Sequence, residues 1–138
     1  MKLVIGATGF LGSHVTRQLV ENGEQVRVLT RPTSSMRALA GLDVEHVTGE
    51  LVDADAVSRA MRGCDDVFYG AVDTRAWIND RSTLFGTNVD ALRTVLDVAG
   101  EFDLRRFVFT STMATIGRNP ARTVGPDDEF NWDSRATE

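Results

Sequence analysis

Gly6-Ala7-Thr8-Gly9-Phe10-Leu11-Gly12 stands directly after the apolar run Leu3-Val4-Ile5 and directly before Leu11, Val15, Leu19 and Val20, which recur at helical spacing. Three glycines at intervals of three, set between a strand and a helix, restrict the chain more than any other segment. The backbone must turn tightly at Gly6, stay bare at Gly9, and let helix and strand approach closely at Gly12. The first N–H groups of such a helix lack intrahelical partners and sit at the positive end of its dipole. Together these features suit a phosphate or pyrophosphate. A three-glycine pattern alone is weak; its place between a strand and an amphipathic helix gives it weight.

The rest of the chain alternates in the same way. Asn22-Gly23 supplies a stop for the first helix. Val26-Arg27-Val28-Leu29 reads as a second strand, Val44 to Val47 as a shorter third, Val67-Phe68-Tyr69 as a fourth and Phe107-Val108-Phe109 as a fifth. Asp53 can cap a helix whose apolar side is Val57, Ala60 and Met61, with Gly63 closing it. Val89, Leu92, Val95, Leu96 and Ala99 mark one face of a long helix ending near Gly100. Strands separated by helical crossovers pair in parallel. Right-handed crossovers, with a reversal after the third strand, predict the order 3-2-1-4-5, helices on both faces and a crevice between strands one and four. The expected class is α/β, a Rossmann-type parallel sheet. Residues 1–117 form the expected dinucleotide-binding domain. Residues 118–138, punctuated by Pro120, Gly125-Pro126 and Asp127-Asp128-Glu129, form an irregular tail.

Composition narrows the partners. A net charge of −5 gives no reason to expect nucleic acid or an anionic membrane. Cys64 is the single cysteine, so neither an internal disulfide nor a cysteine metal cage can form. His14 and His46 lie in different expected elements, and no metal is expected. The first apolar run is too short for a signal peptide or a membrane span, which points to a reduced, cytoplasmic setting.

The Gly-x-x-Gly-x-x-Gly spacing resembles the loop of the short-chain dehydrogenase/reductase superfamily, in its extended branch of epimerases, dehydratases and dihydroflavonol-reductase-like enzymes. Arg31-Pro32-Thr33-Ser34 looks like that family's Arg-Pro-x-Ser segment, and Gly49-Glu50-Leu51-Val52-Asp53 is similar to its Gly-Asp-Leu-x-Asp. Thr87-Asn88-Val89 matches its asparagine before a long helix, and Phe107-Val108-Phe109-Thr110-Ser111-Thr112 looks like its fifth strand. The resemblance implies a nicotinamide dinucleotide held along Gly6, Thr8, Gly9, Phe10, Leu11 and Gly12, with Glu50 and Leu51 near the adenine. It also implies that the backbone of Ala71 and Val72, and Thr110 and Ser111, line the cofactor. Asn88 either steadies this region or simply starts a helix. Glu50 departs from the family's aspartate, and its extra methylene either preserves the contact through water or loses it.

The end of the second strand bears on which dinucleotide binds. An acidic residue there would accept from a ribose 2′-hydroxyl and repel a 2′-phosphate. Thr30-Arg31 stands there instead, with Ser34 nearby, and the guanidinium fork suits phosphate. NADP(H) is the expected cofactor and NAD remains possible; the bland alternative makes Arg31 a solvated loop cation. In the family, turnover needs a hydroxyl residue and a Tyr-x-x-x-Lys pair. Thr112 fits the hydroxyl, with Ser111 as the alternate. Tyr69 is the only tyrosine and Lys2 the only lysine, so the pair is absent. The chain therefore resembles the N-terminal part of a longer reductase, expected to bind dinucleotide without turnover.

The expected function is the NADP(H)-binding portion of a carbonyl/alcohol oxidoreductase acting on a small molecule. Two alternatives stay open: an NAD-dependent nucleotide-sugar epimerase or dehydratase, and a non-catalytic dinucleotide sensor. Trp77 either walls a substrate pocket or packs in the core. A homodimer through the long helix is possible. The fifth strand has no expected neighbour on its outer side, which invites pairing with another molecule or cover by the tail, anchored by Phe130 and Trp132.

Overall fold

A computed structural model describes residues 1–75, 77 and 79–131. Strand β1 (Lys2–Ile5) pairs in parallel with β2 (Val26–Thr30) on one side and β4 (Asp66–Tyr69) on the other. Strand β3 (Glu45–Thr48) borders β2, and β5 (Arg106–Phe109) borders β4, so the order is 3-2-1-4-5, as the crossovers predict. The helices are α1 (Phe10–Glu21), α2 (Ala54–Met61), α3 (Ser82–Phe85) and α4 (Ala91–Ala99), with a π-helical stretch, Gly86–Asp90, joining the last two.

Side chains alternate across the sheet, so each apolar strand feeds two cores. Val4, Val26 and Val28 pack with Ala7 and Leu39 beneath Val15, Leu19 and Val20 of α1. On the opposite face Leu3, Ile5, Leu29, Val67 and Tyr69 pack with Val57, Ala60 and Met61 of α2 and Val95 and Val98 of α4. Each of these larger side chains contributes about 1.5–3 kcal/mol when fully buried. Asp53 caps α2 as expected, its Oδ1 accepting from the N–H groups of Asp55 at 3.0 Å and Ala56 at 3.2 Å.

Three expectations are corrected. The helical spacing placed Leu11 and Leu96 inward, yet each is 47% exposed. The inner stripe of α1 runs instead through Gly12 and Thr16, because the contact of Gly12 with the turn fixes the rotation of the helix. In α4 the inner stripe runs through Ala91, Val95 and Val98. The long helix, expected from Val89, begins instead at Ser82 and passes through the π stretch into α4. Phe130 is 63% exposed and does not anchor the tail on β5; the tail instead returns on residues 117–118. There Asn131 Oδ1 accepts from the Arg118 N–H at 2.7 Å and its Nδ2 donates to the Arg118 carbonyl at 2.9 Å. Trp132 lies outside the described residues. The outer residues of β5, Val108 and Phe109, are exposed.

Candidate functional site

The carboxyl ends of β1, β2 and β4 open into a crevice of about 790 Å³. Its floor is the glycine loop. Gly6 has φ +86°, a left-handed backbone that disfavours a side chain, and a Cβ there would meet the Ala71 nitrogen at 2.7 Å. At Gly12 a Cβ would lie 2.1 Å from the Gly6 carbonyl oxygen, so α1 is packed hard against the turn. Gly9 is different: it lines the crevice, and its Cβ would meet only the Gly6 oxygen at 3.3 Å. No side chain caps α1, and its first turn holds no acidic residue. Its leading N–H groups are thus disposed toward an anion, and the loop leaves that anion room.

One wall comes from the end of β2. Arg31-Pro32-Thr33-Ser34 forms a turn closed by the Ser34 N–H donating to the Arg31 carbonyl at 3.0 Å, with Pro32 in the second position that its fixed φ favours. The turn brings Arg31 and Ser34 to the same opening, beside Glu50, Leu51 and Val52. The other wall is Gly70 to Arg75, with Thr83, Gly86, Thr87 and Ala91 from the helical segment.

An ion pair is built into this second wall. Arg75 Nε donates to Asp73 Oδ1 at 2.9 Å and Nη2 donates to Oδ2 at 2.6 Å. The backbone of Asp73 is held at both ends by Asn88, whose Oδ1 accepts from its N–H and whose Nδ2 donates to its carbonyl, each at 2.8 Å. Asn88 thus braces this wall at Asp73 from within the π stretch, not from a helix start. The Arg75 guanidinium, with a smaller contribution from the charge of Arg31, holds the Asp73 carboxyl at about 2, below its ordinary 3.8.

The structure gathers Gly6, Thr8, Gly9, Arg31, Ser34, Glu50, Leu51, Ala71 and Val72 around one crevice. It leaves Phe10, Leu11, Gly12, Asn88, Thr110, Ser111 and Thr112 outside the lining. Phe10 points to solvent, 86% exposed, with its ring edge-on to His14. Gly12 and Asn88 act on the crevice through the turn and through Asp73. Thr110 is close by: a Cβ on Gly70 would lie 3.9 Å from its Oγ1. Thr112 Oγ1 accepts from the Ala114 N–H at 3.2 Å and caps the short turn Met113–Thr115, so in this conformation its hydroxyl serves the backbone. Trp77 is 77% exposed and does not pack in the core.

Tyr69 cannot stand in for a catalytic tyrosine. It is buried between β1 and β5 residues, its ring stacked on Phe107 and tilted against Phe109, and its hydroxyl has no hydrogen-bond partner among the described residues. Burial pushes its pKa up. Lys2 lies at the opposite end of the sheet, 2.9 Å from Asp66. Among the described residues no group of three or more His, Cys, Asp and Glu could hold a metal, and no helix is long and apolar enough to cross a membrane. The Asp73–Arg75 pair escaped the sequence reading. An aspartate and an arginine two residues apart just after the fourth strand was the available signal.

Residues 2–134 match the model of the NAD dependent epimerase/dehydratase family. The chain is 39% identical over 114 residues to the "Putative dihydroflavonol 4-reductase" of Synechocystis sp., covering 83% of this chain and 33% of that protein. It is 37% identical over 118 residues to sterol demethylase protein B of Methylococcus capsulatus, covering 86% of this chain and 36% of that one. It thus spans about a third of the length of these relatives. A short-chain dehydrogenase/reductase superfamily protein from Agrobacterium tumefaciens, solved with bound NAD, superposes with a TM-score of 0.77 at 30% identity, covering 99% of this chain and 40% of that one.

Proposed function

The chain belongs to the NAD-dependent epimerase/dehydratase family, and on that premise we propose that its crevice binds NADP(H) as the cofactor-holding part of a carbonyl/alcohol oxidoreductase. The observation that carries the reading is the presence of Arg31 and Ser34 on the same crevice as the glycine loop. The residues fit the group. The open face of Gly9 and the uncapped start of α1 suit a pyrophosphate, and the guanidinium suits a 2′-phosphate. When bound, the nicotinamide would exchange hydride with a small carbonyl or alcohol substrate.

This chain's own residues would bind and orient. Loop and helix N–H groups would hold the pyrophosphate, Leu51 and Glu50 would border the adenine, and Arg31 would take the 2′-phosphate. Ala71 and Val72 would present backbone to the dinucleotide. Thr112 is our candidate for orienting a substrate oxygen once released from its capping bond, but an unassisted hydroxyl is a poor acid or base near neutral pH. We read residues 1–117 as the binding unit.

The test is a titration of wild-type and Arg31→Ala chains with NADPH and NADH. Loss of a charge-assisted contact should weaken NADPH by about 1.5–3 kcal/mol and leave NADH nearly unchanged. Equal losses for both would make Arg31 structural and overturn the NADP preference. The second reading is NAD itself, favoured by the NAD held in the similar Agrobacterium protein; tighter binding of NADH than NADPH by the wild type would select it.

A further inference from the structure

We propose that Arg75 is a phosphate-binding residue of this crevice, that it receives the pyrophosphate of the dinucleotide, and that Asp73, braced by Asn88, is its positioning residue. The inference rests on the dinucleotide reading above and adds a residue and a contact to it. It begins with charge. Among the described residues, the charged side chains that line the crevice are Arg31, Arg75, Glu50 and Asp73, two of each sign. NADP brings a pyrophosphate and, at the far end of its adenosine, a 2′-phosphate of about −1.5 to −2 charge at neutral pH. One guanidinium cannot serve both. Lys2 is at the other end of the sheet and already paired with Asp66, and among the described residues the remaining cation of the lining is Arg75, which would add its charge to the loop and helix N–H groups at the pyrophosphate.

Position supports the same assignment. Gly6, the first glycine of the loop, sits directly against Gly70 and Ala71, and the segment leading to Arg75 departs from that contact. The glycine loop therefore lies between two arginines: Arg31 approaches from the β2 side and Arg75 from the β4 side.

The mount is more rigid than an ordinary surface ion pair. The Asp73 side chain is 8% exposed and that of Arg75 is 53% exposed, so the anion is the buried anchor and the cation the group presented outward. Asp73 engages the guanidinium through Nε and Nη2, while a guanidinium carries five N–H donors. A fork fixed on one edge can meet a second oxyanion with another. Asn88 fastens both backbone groups of Asp73 from a π-helical stretch, a local structure found disproportionately at functional sites. The carboxylate stays ionised throughout the neutral range, so the guanidinium is held whether or not the pH varies.

The experiment titrates the full chain and its Arg75→Gln, Arg75→Lys, Asp73→Asn and Arg31→Ala variants with NADPH, NADH, ADP-ribose and adenosine 2′-monophosphate, at low and moderate salt. Circular dichroism checks that each variant is folded. Arg75→Gln should weaken NADPH, NADH and ADP-ribose alike, by roughly tenfold or more, and leave adenosine 2′-monophosphate within about twofold. Arg31→Ala should instead weaken NADPH and adenosine 2′-monophosphate and leave NADH and ADP-ribose nearly unchanged. Arg75→Lys keeps the charge without the fork and should recover only part of the affinity. Asp73→Asn should weaken the same three ligands less than Arg75→Gln does, and both should flatten the salt dependence.

Unchanged ADP-ribose affinity in a folded Arg75→Gln chain that still binds through Arg31 overturns the proposal. A loss confined to ligands bearing a 2′-phosphate moves Arg75 to that site and overturns the pyrophosphate assignment. Tighter binding by Asp73→Asn makes Asp73 a competitor for the cation and removes its positioning role. A wild-type chain that binds none of the four ligands refutes the dinucleotide reading itself, and this inference falls with it. If Arg75→Gln does not fold, the Arg75→Lys and Asp73→Asn titrations decide by the same criteria.

Discussion

At the amino ends of the strands Asp66 lies 2.9 Å from Lys2 and receives Arg105 in a fork of 3.0 and 2.6 Å. At the carboxyl ends Asp73 receives Arg75 in a fork of 2.9 and 2.6 Å. The chemistry is nearly the same and the setting is opposite. Lys2 and Asp66 are both almost removed from water, with side-chain exposures of 8% and 4%, and they join the starts of β1, β4 and β5, which stand side by side in the sheet. At the other end the carboxylate has no buried cation beside it: its partner Arg75 is about half exposed, as Arg105 is, but stands on the wall of a crevice. A pair in which both partners are buried can only hold strands together. A pair with one partner presented outward can also meet something that arrives.

The comparison is most sharply tested by removing its buried member. Asp66→Ala would leave the buried Lys2 with only the half-exposed Glu24, 3.8 Å away, as counter-charge. We expect a loss of about 3 kcal/mol, at the low end for breaking a buried pair because Arg105 is more than half exposed and can turn to water. Urea unfolding measures it. Dinucleotide affinity of the folded fraction should be unchanged, and a large drop in affinity would mean that the two ends of the sheet are coupled.

Acid should separate the same two carboxylates more gently. The fork from Arg105, and then Lys2, hold the Asp66 carboxyl well below the ordinary carboxylate range, against the upward push of burial. A folded-state pKa lower than the unfolded one adds stability that is complete above the unfolded value and drains as pH falls through the folded value. Stability should therefore decline below about pH 4, near the ordinary 3.8, and continue to fall toward strong acid. Asp73, held at about 2, drains in the same direction. The acid slope should shrink markedly in Asp66→Ala and only slightly in Asp73→Asn, where solvent screens the half-exposed Arg75. Equal changes in slope would erase the distinction between the two ends.

The smallest effect is expected at Glu24, 3.8 Å from Lys2 and about half exposed. Glu24→Gln should cost less than about 1 kcal/mol, as solvated pairs do. A loss comparable to that of Asp66→Ala would show that Lys2 depends on both carboxylates rather than on the buried one.

Much of this molecule follows from its linear pattern. Short apolar strands joined by helical segments can pair only in parallel, and the handedness of the crossovers then orders them, so the sheet and its crevice were legible before any coordinates. The glycine spacing carried the loop, because Gly6 and Gly12 occupy places where a Cβ has no room. The β2 end was equally readable, since Pro32 and the residues about it form a local turn.

Other features were decided only by packing in three dimensions. Leu11 matches the helical period yet is half exposed, because the contact of Gly12 with the turn sets the rotation of α1; in α4 the inner stripe runs through Ala91, Val95 and Val98 and leaves Leu96 half exposed. The brace on Asp73 joins residues 15 positions apart, and no local propensity announces that Asn88 will reach across from a π-helical stretch. Composition and spacing determined which elements this chain builds and where its crevice opens. Which charges face that crevice, and which are sealed at the far end of the sheet, depended on distances that exist only once the elements are packed.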